Sequence, residues 1–211
     1  MTAPTPPKVR RGGLMGVAAG LVGAAITSLS QFADPAVEVG DTTYPWVPAL
    51  YVLLGVLLTA VRVGFVVLVA ALSMSGVSGR SATARAGLVL ALLGFAAQAL
   101  VQLLLLFAAG TRATDPYPSA LAIMLTTATA LAAVGLLLAG IEAIRSRAWL
   151  NWRRFIPLLA GVVTAATVVT LVYGDARNWG MLVWCLVLAV LGTALATQPR
   201  VYASRSSIPQ R

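Results

Sequence analysis

Histidine is absent from the 211 residues, cysteine and lysine occur once each, and only six residues are acidic. Each scarcity closes off some chemistry. Without imidazole the chain lacks the commonest general base and proton shuttle, and both a His-Glu-x-x-His metalloprotease and a Ser-His hydrolase are excluded. Cys185 can form no internal disulfide, so cysteine usage says nothing of redox compartment. Every aspartate falls between the apolar runs, which excludes an intramembrane aspartyl pair, and there is no Walker sequence for nucleotide and no CAAX-type end. Charged residues make up 10%, where an ordinary soluble domain carries about 25%. That excludes an ordinary soluble domain.

What is present is apolar. Hydrophobic residues reach 59% and the mean hydropathy is +0.90. A helix needs roughly 20 apolar residues to cross a bilayer, and stretches of that kind run at about 12–33, 46–72, 86–109, 119–144, 155–174 and 180–197. The expected fold is all-α: a polytopic membrane protein built as a single six-helix transmembrane bundle over 12–197, with tails at 1–11 and 198–211. Loops rich in Pro, Gly, Ser and charge separate the runs, and none has room for a soluble domain. The first run is expected to be a retained helix. Lys8, Arg10 and Arg11 precede it as in a signal peptide, but it is too long, and Ser30-Gln31-Phe32-Ala33 is a poor cleavage site.

The cations set the orientation. With the N-terminus inside, Lys8, Arg10, Arg11, Arg80, Arg85, Arg145, Arg147, Arg153, Arg154, Arg200, Arg205 and Arg211 are cytoplasmic, and only Arg112 and Arg177 are outside. Twelve against two is a strong positive-inside bias and places both termini in the cytoplasm. The acids Asp34, Glu38, Asp41, Asp115 and Asp175 fall outside. Tyr44, Trp46, Tyr117, Tyr173 and Trp179 are expected at the outer interface, and Trp149, Trp152 and Phe155 at the inner one. The net charge of +9 therefore reads as topogenesis plus attraction to anionic headgroups through Arg145, Arg147, Trp149, Trp152, Arg153 and Arg154, with no nucleic-acid partner. No metal or other cofactor is expected: the outer acids are scattered and read as solvated.

One ionisable residue lies deep. Arg62 is roughly 24 Å from the outer end of its run and roughly 15 Å from the inner end, a depth that no carboxylate shares. Gln98 sits at comparable depth on the third run, and Gln102, four residues on, shares its helical face. Thr59, Thr126, Thr127, Thr129, Thr164, Thr167 and Thr170 supply further hydroxyls. Two readings follow. In one, Arg62, Gln98 and Gln102 line a polar cleft for an anionic substrate or lipid headgroup. In the other, Arg62 snorkels inward, with Glu142 near the inner end of the fourth run as a partner if the two helices touch, and the glutamines and threonines bond to neighbouring helices or to their own backbone. Glu142 is also within reach of Arg145 or Arg147.

Small residues every four positions, Gly16, Gly20 and Ala24 on the first run and Gly135, Ala139 and Ala143 on the fourth, allow close helix approach, either within the chain or across a homodimer. No inverted repeat of a transporter is visible. The segment Trp149-Leu-Asn-Trp152-Arg153-Arg154-Phe-Ile-Pro157-Leu158-Leu-Ala-Gly161 resembles the corresponding stretch in uncharacterised six-span membrane proteins of actinobacteria. That resemblance carries no activity with it. The arginine bias, with abundant Ala, Gly, Val and Leu, also fits a GC-rich bacterial genome.

The expectation is a non-enzymatic protein of the bacterial plasma membrane, a structural or interaction subunit with a membrane partner or a second copy of itself. The alternative is a small transporter or lipid-binding protein centred on Arg62. Reporter fusions in the successive loops check the orientation: a fusion within Arg145 to Arg154 reports cytoplasm, and a periplasmic signal there contradicts the topology.

Overall fold

The computed structural model describes residues 6–32, 40–44, 46–79, 81–147, 149, 151–173 and 177–197. Asp34, Glu38, Arg80, Asp175, Arg200, Arg205 and Arg211, named above, lie outside the described residues, as do the side chains of Tyr173 and Arg177. Six α-helices follow in order: α1 Pro7–Phe32, α2 Pro48–Ser75, α3 Ala82–Leu105, α4 Pro116–Ser146, α5 Ile156–Tyr173 and α6 Arg177–Ala196. Short 3-10 turns at Leu106–Ala108 and Asn151–Phe155 extend α3 and lead into α5. All six spans are long and apolar enough to cross a membrane.

Helix is what an apolar chain must form in lipid, where every backbone N–H and C=O needs an internal partner. The ends are set by local chemistry. Pro48 and Pro116 open α2 and α4, where a missing N–H is harmless, and the Ser81 hydroxyl caps α3 by accepting from the Ala84 amide at 3.0 Å. Gly76 closes α2 at φ 70, and Arg147 closes α4 in the same left-handed region at φ 50. With 31 residues α4 is about 46 Å long and overshoots the hydrocarbon core of about 30 Å, whereas the 18 residues of α5 make about 27 Å.

Each helix packs on its neighbours in sequence, and α6 returns to α1, closing a ring in chain order. An in-plane two-fold axis reverses the sense of such a ring, so its two halves are not an inverted repeat. The core fills the ring: Phe65, Leu68, Leu72, Phe95, Leu136, Leu188, Leu191 and Leu195 are fully buried. Two interfaces are the most extensive, α1 on α6 and α3 on α4, and the same device builds both. On α1, Gly13 and Gly20 lie seven apart; a Cβ on them would sit 2.7 Å from the Gly192 carbonyl oxygen and 2.6 Å from that of Cys185. On α3, Gly87 and Gly94 have the same spacing, and a Cβ there would sit 2.8 Å from the Gly135 and Ala128 carbonyl oxygens. Backbones touch at all four places.

The small residues noted in the sequence are thus occupied within the chain. Gly16 faces Leu68 on α2, Gly20 faces α6, Gly135 faces Gly87 and Ala91 on α3, and Ala139 and Ala143 are fully buried. Outside the membrane the connections are tied together as well. The Thr42 amide donates to Thr111 O at 2.9 Å and the Ala113 amide to Gly40 O at 2.8 Å, linking the α1–α2 connection to the α3–α4 connection. At the opposite end the Ser146 hydroxyl donates to Val77 O at 2.7 Å, and Arg153 Nη1 to Thr197 O at 2.9 Å.

Gly135→Ala tests the close approach. A methyl gains helix propensity of about 1 kcal/mol but meets backbone on α3, and overpacking costs typically about 1–3 kcal/mol. The expected result is net destabilisation of the purified protein on thermal unfolding in detergent; an unchanged or raised midpoint contradicts the close approach.

Candidate functional site

The site grows from two matching spacings. Arg62 and Phe65 are three apart on α2, and Phe95 and Gln98 are three apart on α3, so each helix turns one polar and one aromatic side chain to the same face. All four are buried: Arg62 is 4% exposed, and Phe65, Phe95 and Gln98 are at 0%. Arg62 Nη1 donates to Gln98 Oε1, joining α2 to α3. From the far side of the ring, Trp184 of α6 completes the layer. The guanidinium carbon lies 5.0 Å from the centroid of its ring. Phe65 meets Trp184 edge to face at 5.2 Å and 72°, and Phe95 stacks on it at 6.1 Å and 12°. The indole N–H is spent on α5, donating to Thr164 Oγ1 at 3.0 Å. One layer therefore draws side chains from α2, α3, α5 and α6.

Magnitudes explain why the guanidinium stays at depth. A central Arg costs about 2.5–3.5 kcal/mol on insertion scales. A charged hydrogen bond returns about 1.5–3 kcal/mol, and a desolvated cation–π contact about 2 kcal/mol. The gains match the cost, so Arg62 does not snorkel inward. This differs from the sequence expectation, and Trp184 is the reason. A Trp so far inside a span needs a partner for its N–H, and that was the signal available in the sequence.

Glu142 does not join the layer. Its carboxylate accepts from the Ser81 hydroxyl at 2.8 Å and pairs with Arg145 at 3.0 Å. Ser81 caps α3 seventeen residues before Gln98, which puts Glu142 roughly 25 Å along the bundle from Arg62. The expected Arg62–Glu142 pair fails on that distance. Gln102 shares the buried face of Gln98 and is 8% exposed.

The hydroxyl protons stay within their own helices. Thr59, Thr126, Thr127, Thr129, Thr164 and Thr167 each donate to the carbonyl four residues back, and Thr170 to Thr167 O. Their donors are taken up by their own helices, and Thr164 Oγ1 accepts from Trp184 as well.

At the inner end the expected belt is only partly exposed. Arg145, Arg147 and Trp152 are exposed, while Arg153 and Arg154 are half-buried, each over an aromatic ring: Arg153 over Trp152 at 6.0 Å and Arg154 over Phe155 at 4.6 Å. Trp149 departs from the expected headgroup position. It is 4% exposed and belongs to the core, two residues after the left-handed turn at Arg147. In the α1–α2 connection the Asp41 carboxylate accepts from the Thr43 amide and hydroxyl, both at 2.8 Å, and these bonds, the amide first, hold its pKa below the usual aspartate value. No group of three potential metal-ligating side chains occurs among the described residues.

A double-mutant cycle checks the polar layer. Gln98→Leu leaves the guanidinium without its acceptor and lowers unfolding stability by about 2–3 kcal/mol, whereas adding Arg62→Met replaces both partners and recovers most of the loss. Losses that simply add contradict the pairing. Arg62→Met and Glu142→Ala are expected to add within about 0.5 kcal/mol.

Compared with known proteins, the chain matches no protein-family model, no curated protein and no solved structure.

Proposed function

We propose that this chain is a non-enzymatic membrane subunit, structural or interacting, that meets its partners through rigid helix faces. Its place is the bacterial plasma membrane with both termini in the cytoplasm, on the strength of the cation distribution and of the resemblance to actinobacterial six-span proteins. The observation that carries the reading is the enclosure of Arg62, 4% exposed between Gln98 and Trp184. A group that binds a passing substrate needs an approach, and a guanidinium committed to a neighbouring amide and an indole face is suited to holding helices in register. The threonines support the same reading by bonding to their own backbones. Exposed apolar side chains such as Leu53, Ile123, Val134 and Val169 furnish the outward faces for lipid or for a partner's helices. Arg145, Arg147, Trp152, Arg153 and Arg154 meet anionic headgroups at the inner surface.

A second reading, a small transporter or lipid-binding protein centred on Arg62, Gln98 and Gln102, draws on one observation. Gln98 Nε2 is buried with no hydrogen-bond partner.

Thiol accessibility separates the two. Cys185, 3% exposed, is replaced by Ser, and Gln102→Cys is introduced one turn outward from Gln98. A membrane-impermeant thiol reagent applied from either side should leave the folded protein unmodified and react only after denaturation. Rapid modification from one side would favour a substrate pathway.

A further inference from the structure

Gln98 poses a chemical question that the helix packing does not answer. Its Oε1 accepts from Arg62 Nη1, and this fixes which end of the carboxamide is which: Nε2, with two N–H donors, points the other way. That nitrogen is buried, in a residue at 0% exposure, and has no hydrogen-bond partner. A buried unmet donor costs about 1–3 kcal/mol in general, and native proteins fill such places with water or an ion. The aromatic side chains of the layer offer it nothing, and it forms no bond to the Gln102 carboxamide one turn on. Phe65 and Phe95 have no lone pair to give, and the Trp184 indole is a donor already engaged with Thr164.

We propose that the Arg62–Gln98 layer holds a small inorganic anion, chloride, as a structural ligand on Gln98 Nε2. The layer is rich in donors and carries a fixed positive charge, so the complement it calls for is an acceptor of opposite charge. Water is a poorer fit, because each water brings donors of its own that need acceptors. In a low-dielectric interior the attraction between a halide and the Arg62 guanidinium is far stronger than at the surface. The near-complete burial of Arg62, Gln98 and Trp184 selects a monoatomic ion over phosphate, sulfate or a lipid headgroup, which are larger and more firmly hydrated. The anion completes the same enclosed layer on which the structural reading rests, and serves as part of the fold with no transport implied.

Three measurements on the full chain in detergent test this. First, unfolding is compared in chloride and in gluconate at equal ionic strength. At a chloride concentration about 100 times its Kd, the folding equilibrium shifts about 100-fold toward the native state. Second, bromide replaces chloride and anomalous diffraction locates it, with a peak expected beside Gln98 Nε2. Third, Gln98→Glu puts a carboxylate in the same volume, supplies the negative charge from within, and abolishes both the halide dependence and the bromide peak. Should that variant fail to fold, the two wild-type measurements stand by themselves. Equal stability in both salts overturns the proposal, as does bromide found at the surface alone, an adventitious ion only. Either result leaves the thiol-accessibility outcome at Gln102 untouched, so failure of the anion is distinguishable from failure of the structural reading.

Discussion

A guanidinium placed midway through a bilayer has to be accompanied, and the centre of this protein is arranged around that requirement. Arg62 finds an amide oxygen on α3 and an indole face on α6, and the indole is in turn held by a hydroxyl on α5. Each contact crosses a helix interface. Sliding one helix by a turn, about 5.4 Å, would break at least one of them, so the layer restricts how the ring of helices can be assembled. A purely apolar core of Leu and Phe would pack almost as well in several registers.

The rest of the bundle allows that layer to close. Aromatic side chains can meet across a six-helix ring only if the ring is tight, and the glycines at 13, 20, 87, 94, 135 and 192 draw α1 onto α6 and α3 onto α4 until backbone touches backbone. In lipid there is little hydrophobic gain from helix association, so close packing and buried polar contacts supply the specificity. Here the two operate at different places in one assembly. Glycines set the spacing around the wall, and Arg62, Gln98 and Trp184 set the register at the centre.

Much of this was legible in the residues alone. The six spans stood out because runs of about 20 apolar residues have few alternatives, and observed helix ends depart from the expected ones by up to five residues, as at Pro7, where α1 begins within the basic segment. Arg62 and Gln98 were found by depth arithmetic, because ionisable and amide groups are rare inside spans. Trp184 was passed over, although its place inside the sixth run was the signal that its N–H needed a partner. Glu142 was placed near a span end with Arg62 or Arg145 as its possible partner, and it pairs with Arg145; depth along one helix does not reveal which neighbour it touches. Trp149 shows the limit of the interfacial rule, because a tryptophan next to a span end can equally pack into the core. The packing glycines were half visible: Gly20 and Gly135 stood out in a repeat of four, whereas Gly13, Gly87, Gly94 and Gly192 did not, and a repeat names a face but not its partner.

Placing the Arg62 side chain in an experimental structure of the chain in lipid nanodiscs, with a bound antibody fragment to aid alignment, tests the central claim most directly. The account predicts guanidinium density joined to Gln98 and lying over the Trp184 ring, closed off from both membrane surfaces. Density running from Arg62 to the inner surface, or a continuous water-filled channel reaching it, would contradict that account.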